Sequence, residues 1–389
     1  MGKYGRFAYA WWMTQVFRRR ILPTVLQLPV TSRCNSRCVT CNVWKQLGQA
    51  DLPAEGLRKV LGDPFFRNVS SVGINGGEPF LHPDLIGVMD AVLTLPRIRT
   101  IYLISNGLLA QRIMQRLPSI MERCATRNVR LHLTVSIDGI GSTHDAERGV
   151  PGAFEKSWQA VESILQQRKK YCDELALGYT VSRWNAGDME AVKALAERVG
   201  IQLDVHLAVP NRRIGTFDSA DYSVLQDPRS MMLAREYFFS EFKYGRGLKH
   251  RMQSYFNYAY MVHGGERRYA YCNYLRQDVT VDENLKLYLC AAASEEVGDL
   301  SKHPASYYVK AGALRREEKK LEPHCGRCAH YIVYPSLSGA LSFFGELLLP
   351  ANWIVDEISA KALRMRRLRQ PEGVSRSRTA AKSGADKGE

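Results

Sequence analysis

From Leu22 to about Pro210 the chain repeats one pattern six times: a short apolar run, then a segment with helical spacing of its apolar residues. The runs Val25 to Thr31, Val69 to Asn75, Arg99 to Ser105, Arg130 to Ile137, Leu175 to Val181 and Gln202 to Val209 read as strands. Pro83 to Leu95, Leu108 to Cys124, Phe154 to Lys169 and Gly187 to Val199 read as helices between them. Such alternation gives parallel strands joined by right-handed crossovers, which is an α/β fold built either as an open doubly wound sheet or as an incomplete barrel. Both architectures gather ligands at the C-terminal ends of the strands.

Those ends carry the unusual residues. After the first strand come three cysteines, Cys34, Cys38 and Cys41, spaced Cx3Cx2C. Three thiolates at this spacing hold three corners of an iron–sulfur cube and leave a fourth iron open to another ligand. A zinc knuckle is the plainer reading, but structural zinc needs a closed shell of four donors, and no nearby Cys or His completes one. The second strand ends in Gly76-Gly77-Glu78-Pro79, the third in Ser105-Asn106-Gly107, and the fourth in Ser136-Ile137-Asp138-Gly139, with Arg148 beyond it. Paired glycines permit close backbone approach, Glu78 offers an acceptor for an ammonium group, and short polar groups suit ribose hydroxyls. Asn-Gly and Asp-Gly are also ordinary turn chemistry, so the argument rests on four such sites falling in register.

This combination resembles the radical S-adenosylmethionine (radical SAM) superfamily, over about Leu22 to Pro210. The resemblance implies an incomplete (β/α)6 TIM-type barrel with a [4Fe-4S] cluster on Cys34, Cys38 and Cys41. S-adenosylmethionine (AdoMet) would chelate the open iron. Its ammonium is expected at the Gly76, Gly77, Glu78, Pro79 segment with Glu78 as acceptor, and its ribose and carboxylate near Ser105, Asn106, Ser136, Asp138 and Arg148. Thr40 stands where the family usually has an aromatic residue beside the adenine. The implied activity is an oxidoreductase type, in which reductive cleavage of AdoMet yields a 5′-deoxyadenosyl radical that removes a hydrogen atom from a substrate. A one-electron reductant such as flavodoxin or ferredoxin is implied as partner.

A second set of cysteines, Cys272, Cys290, Cys325 and Cys328, follows a less patterned stretch rich in Tyr, Phe and Arg. Asp278 to Leu289 reads as strand, turn, strand, with Asn284 able to take a positive φ, and such a hairpin brings Cys272 and Cys290 together. Four thiolates make a closed shell, which by spacing suits structural zinc or a fully ligated cluster. The resemblance adds that C-terminal SPASM domains, or their shortened twitch forms, use a Cys, a hairpin ending in Cys and a later CxxC to bind auxiliary iron–sulfur clusters. Four cysteines imply one auxiliary [4Fe-4S] cluster, with a task in electron transfer.

The expected organisation is an N-terminal amphipathic segment (1–21), the partial barrel (22–215), a helical linker (216–271), the auxiliary-cluster domain (272–335), an apolar then basic amphipathic segment (336–369) and a disordered tail (370–389). Nine cysteines, an odd number in two clusters and two singletons (Cys124 and Cys172), do not form a secretory disulfide framework, so the reducing cytoplasm is the expected compartment. Trp11, Trp12, Phe7 and Phe17 beside Arg18 to Arg20 suit a helix lying on a membrane or one packed across the barrel, which adds peripheral contact with the inner face of the membrane to the expectation. The apolar stretch from Ile332 to Val355 is interrupted by prolines, glycines and Glu346, so it reads as an interfacial hairpin or a lid rather than a spanning helix.

A net charge of +15 and a pI near 9.4 call for anionic surroundings. The expected substrate is therefore an anionic small molecule, sugar-like or lipid-linked. A peptide-modifying maturase of ribosomal peptides is the alternative, against which stands the short stretch before the first strand. A basic zinc protein binding nucleic acid is the alternative of another class, disfavoured because no RNA- or DNA-recognition signature accompanies the charge.

Overall fold

The computed structural model of the chain describes residues 3–46, 48, 50–219, 221–330 and 334–348. Six parallel strands run in chain order: β1 (Val25–Pro29), β2 (Ser71–Asn75), β3 (Thr100–Ser105), β4 (Arg130–Ser136), β5 (Glu174–Val181) and β6 (Gln202–Leu207). Each falls within one residue of, or inside, the run that the apolar pattern marks out. Alternation along each strand decides what each face meets. Leu26, Leu28, Val72, Ile74, Ile101, Leu103, Leu131, Leu133, Val135, Leu175 and Leu177 are all buried on one face, where the crossover helices pack. The other face carries Gln27, Gly73, Tyr102, His132 and Glu174, cross-strand neighbours in a single row.

β1 does not pair with β6, so the strands do not close on themselves. Instead the free edge of β1 takes β8 (Val279–Val281) in parallel, with Leu26 opposite Val279 and Gln27 opposite Thr280. β7 (Ala270–Tyr271) lies outside this sheet and pairs with β11 (Tyr334–Pro335). β8 turns into β9 (Lys286–Tyr288), and β10 (Gly298–Asp299) completes a nine-stranded sheet in the order 10-9-8-1-2-3-4-5-6. This architecture is the α/β fold expected, and its open six-stranded core is consistent with an incomplete barrel. Asp278, fully buried, fixes the junction: one carboxylate oxygen accepts from the backbone N–H of Thr24 (3.1 Å) and of Val25 (2.9 Å). The start of β8 is thereby tied to the start of β1.

The hairpin turn corrects one expectation. Leu285, not Asn284, takes the left-handed conformation (φ 59°), because the Asp282 carboxylate accepts from the N–H of both Asn284 (2.9 Å) and Lys286 (2.8 Å) and winds the chain between them. Leu285 is buried at this point, and its packing holds a conformation costly for a residue with a Cβ.

The stretch without clear periodicity contains two long helices, Pro228–Tyr244 and Leu248–Val262. They bury Tyr237, Phe238, Phe242, Tyr255 and Phe256, and so many large rings on one helix pair blur the polar face that periodicity depends on. Phe343, from the helix Leu337–Leu347, sits against Phe242 (5.6 Å between ring centres) and Tyr255 (5.7 Å). At the other end of the chain, Arg20 is buried against Glu318, and Arg18 and Arg276 both meet Glu322. Two of the three N-terminal arginines thus bind the helix Ala313–Cys325, while Tyr9, Trp12 and Phe17 remain exposed. No described helix is long and apolar enough to cross a membrane. The basic segment 361–369 and the tail 370–389 lie outside the described residues.

Candidate active site

The loop carrying Cys34, Cys38 and Cys41 leaves the C-terminal end of β1 and is fastened by the other strand ends. Gly77 N–H donates to Thr31 O (2.6 Å) and Glu78 N–H to Arg33 O (2.7 Å), which lays the Gly76–Pro79 segment against the loop. The approach is so close that a Cβ on Gly77 would stand 2.0 Å from Arg33 O and one on Gly76 2.5 Å from Thr31 O. These two glycines let one loop touch another. Asn106 adds a third attachment, its Nδ2 donating to Asn35 Oδ1 (2.8 Å) and Ser36 Oγ (3.1 Å). The end of the helix Ser142–Arg148 adds a fourth: Arg37 N–H donates to Arg148 O (2.7 Å) and Val39 N–H to Glu147 O (3.0 Å). From beyond β6, Ile214 O and Gly215 O hold Asn42, and Arg213 O holds Gln46.

Glu78 is fully buried, and its carboxylate is already engaged. It accepts from Phe80 N–H (3.1 Å), Ser105 Oγ–H (2.9 Å) and Asn106 N–H (2.7 Å), so it joins the second strand end to the third. Burial pushes its carboxyl up, against those three donors. Asp138 is similar. Its Oδ1 accepts from Thr180 N–H (2.7 Å) and its Oδ2 pairs with Arg148 Nη2 (2.6 Å). Both carboxylates thus already accept from protein donors, and Ser105 Oγ–H donates to Glu78. Ser136 closes β4 on the same face as His132 and Thr134.

Arg148 is the pivot. While Nη2 meets Asp138, Nη1 points to Cys38 Sγ at 3.8 Å, and Nε is buried with no hydrogen-bond partner. A buried cation with an idle N–H is costly unless an anion completes its set. Burial raises all three thiols, Cys34 to about 12 and Cys41 to about 11, with mutual repulsion of the sulfurs adding to Cys34 and Cys41 and the Arg148 charge opposing the rise at Cys38. Such thiols lose their protons to a metal rather than to water. Among the described residues, no three His, Cys, Asp or Glu side chains are grouped to hold a single metal ion. Three thiols on one pinned loop, with a cationic arginine 3.8 Å from the Cys38 sulfur, are the kind of donor set that takes three corners of an iron–sulfur cube.

The described chain from 28 to 192 matches the family profile of the radical SAM superfamily. Over that segment the chain is similar to the superfamily. Members of the superfamily are iron–sulfur enzymes, and their cofactors are a [4Fe-4S] cluster and AdoMet. Among curated relatives, the chain is 30% identical over 214 residues to an AdoMet-dependent heme synthase of Methanosarcina barkeri, covering 51% of this chain and only 56% of that one. It is 24% identical over 339 residues to a pre-heme d1 synthase of Dinoroseobacter shibae, covering 78% of each. In fold it is similar to anSMEcpe with bound AdoMet (TM-score 0.56, 16% identity, 87% of this chain and 97% of that one). It is also similar in fold to SuiB of Streptococcus suis bound to S-adenosylmethionine (TM-score 0.52, 14% identity, 79% and 72%).

The second set of cysteines also converges. Cys325 lies in the field of Cys272, Cys290 and Cys328, and burial followed by this mutual repulsion pushes its thiol up. Arg268, which sequence reading passed over, is the clamp: Nε donates to Ala270 O (2.6 Å), Nη1 to Cys328 O and His330 O (2.7 Å each), and its N–H to Gly326 O (2.9 Å). One side chain thus ties the segment before Cys272 to the Cys325–Cys328 loop. No local spacing could have signalled it.

Two further features surround the mouth. On the inner face, the rings of Tyr102 and His132 meet at a tilt of 48° (4.8 Å between centres), and His132 Nδ1 meets Glu174 (3.0 Å), leaving its Nε2 without a partner. At the C-terminal ends, a cavity of about 410 Å³ is lined by Gln46, Arg212, Arg213, Asp282, Glu283 and Asn284, among others. Arg213 spans it, paired with Glu283 (3.3 Å) on the hairpin tip and close enough to Cys41 to lower its thiol.

Proposed function

We propose that Cys34, Cys38 and Cys41 hold the [4Fe-4S] cluster and that the neighbouring strand ends bind AdoMet against it. The observation that carries this is Arg148: a buried cation shared between Asp138 and Cys38, with one N–H free to receive the AdoMet carboxylate. Because Glu78 is buried and already accepts three hydrogen bonds, the ammonium falls to the backbone carbonyls of Gly76, Gly77 and Pro79, and Glu78 keeps that segment in shape. Asn106 and Ser136 take the ribose side. When bound, these cofactors supply a 5′-deoxyadenosyl radical. The residues around them position the sulfonium and keep water from it.

Cys272, Cys290, Cys325 and Cys328 would hold an auxiliary cluster, in a twitch-like domain spanning 272–335, and such a cluster would supply an electron acceptor beside the substrate. The substrate is an anionic small molecule bound between the inner face of the sheet and the cavity at its mouth. Support comes from the net charge of +15 and from relatives named as heme and pre-heme d1 synthases, while the cavity itself sets Arg212 and Arg213 among the carboxylates Asp282, Glu283, Glu295 and Glu296. A lipid-linked substrate at a membrane surface has the exposed Tyr9, Trp12 and Phe17 in its favour. A peptide substrate is the second reading, favoured by 25% identity over 147 residues to the subtilosin biosynthesis protein AlbA of Bacillus subtilis.

The test is product analysis. Anaerobically reconstituted protein, reduced with dithionite, should release 5′-deoxyadenosine and methionine from AdoMet, and a deuterated substrate should pass its label into the nucleoside. Absence of 5′-deoxyadenosine from protein with a full iron complement would refute the reading. Label transfer from a peptide but from no small anion would promote the second one.

A further inference from the structure

The turn between the helices Pro228–Tyr244 and Leu248–Val262 combines bare apolar side chains with positive charge. Gly245, Arg246 and Gly247 alone separate the two helices, and Gly247 makes the reversal at a positive φ of 84°. Tyr244 is 71% exposed and Leu248 55%, so a ring and an aliphatic tip both stand in solvent. Arg246 and Lys249 beside them are exposed as well. No Asp or Glu occurs from residue 242 to 265, a stretch that also holds Lys243 and Arg251. The helix Leu337–Leu347 packs along the same pair: Ser336 N–H donates to Tyr269 O (3.1 Å), and Phe343 meets Phe242 and Tyr255. Phe242 is two residues from Tyr244, which brings Phe343 to the end of the pair that carries the turn. Gly339 and Phe343 are buried on the packed flank of this helix, while Leu337 and Leu341, two residues out of step with them, are 65% and 69% exposed.

We propose that Tyr244, Arg246, Leu248 and Lys249, with Leu337 and Leu341, form the surface on which the protein docks to a bilayer of acidic phospholipid. Charge complementarity selects that occupant: the turn is cationic with no carboxylate near it in the chain, the net charge is +15, and five more Lys and Arg lie between positions 361 and 369. Single apolar side chains on a turn and a helix flank enter the headgroup layer one by one, while the neighbouring cations meet lipid phosphates. No described helix is long and apolar enough to cross a membrane, so the contact is with one leaflet. The inference deepens the lipid-linked reading of the substrate by naming the face turned to the lipid, and its test needs neither AdoMet nor a reductant.

The experiment is co-sedimentation of the full chain with vesicles of phosphatidylglycerol and phosphatidylcholine in equal parts, and with phosphatidylcholine alone, at low and high salt. The wild type should partition onto the acidic vesicles and be released by salt. The double substitution Arg246→Glu, Lys249→Glu should lower that partition roughly tenfold or more, and Leu248→Gln and Leu341→Gln by a few-fold each. Tyr307→Ser removes an exposed ring on the helix Ala305–Lys310 and should leave it unchanged. Matching iron content and thermal midpoints confirm that the variants fold. Equal partition of the wild type and the turn and helix variants overturns the inference, as does binding to phosphatidylcholine alone as strong as to the acidic mixture. So does a dimer in analytical ultracentrifugation that Leu341→Gln dissociates while vesicle binding stays unchanged, since the face then pairs two copies of the chain. Failure of the dithionite-reduced wild type to cleave AdoMet strikes instead at the reading of the triad and alters no vesicle result.

Discussion

Arg148 reaches Cys38 Sγ with one nitrogen (3.8 Å) and Asp138 Oδ2 with another (2.6 Å), so the cysteine loop after β1 and the turn after β4 share one buried cation. Replacement by methionine removes the charge and leaves Asp138 buried without its partner, which costs on the order of 3–5 kcal/mol in such pairs. Arg148→Met is therefore expected to lower the thermal midpoint and to weaken AdoMet binding at least tenfold, measured by equilibrium dialysis with labelled AdoMet. Arg148→Lys restores charge without the fork and should recover stability better than affinity.

Gly77 is a contact between loops. Its absent Cβ would stand 2.0 Å from Arg33 O, a backbone atom that cannot swing aside. Gly77→Ala should push the Gly76–Pro79 segment off the cysteine loop, at a cost of roughly 1–3 kcal/mol from overpacking. Iron bound per chain after reconstitution should drop, and a variant loaded and as stable as the wild type would refute this.

Asp278 gives a pH signature. Burial holds its carboxyl up at about 6, against the opposing N–H donors of Val25 and Thr24. Between about pH 4 and 6 the unfolded chain gives up this proton while the folded chain keeps it, so stability declines as pH rises through that window and levels off above it, by ~3 kcal/mol in all. Asp278→Asn keeps an acceptor for both N–H groups and removes the titration. Denaturant unfolding from pH 4 to 7 should show a slope for this group in the wild type that the variant lacks.

Arg268 holds the C-terminal cysteines without touching the triad in β1's loop. Arg268→Met frees the carbonyls of Ala270, Cys328 and His330. Iron content is expected to fall from near eight toward about four per chain, two cubes becoming one, with dithionite-driven formation of 5′-deoxyadenosine retained. Loss of all iron, or of none, would contradict the assignment of a separate auxiliary site.

The six strands were legible because each is a short apolar run with turn residues at its C-terminal end, and local sequence decides both. The hairpin at Asp278 to Leu289 was legible for the same reason. Its union with β1 was not, since Leu26 and Val279 lie far apart in the chain and nothing near either announces the other. Glu78 and Asp138 show a second limit: residue type proposed that each carboxylate faces a ligand, but it could not reveal the protein donors that engage both, nor the buried N–H that Arg148 keeps to spare. Arg268 and Tyr102 were invisible because their partners come from other strands and loops.

The most direct test of the account is the electron paramagnetic resonance spectrum of the dithionite-reduced Cys272→Ala, Cys290→Ala, Cys325→Ala, Cys328→Ala protein, recorded with and without AdoMet. A reduced [4Fe-4S] signal from the triad is expected, and its g-values should shift when AdoMet is added. A cluster signal that AdoMet leaves unchanged, in protein carrying its full triad of Cys34, Cys38 and Cys41, would contradict it.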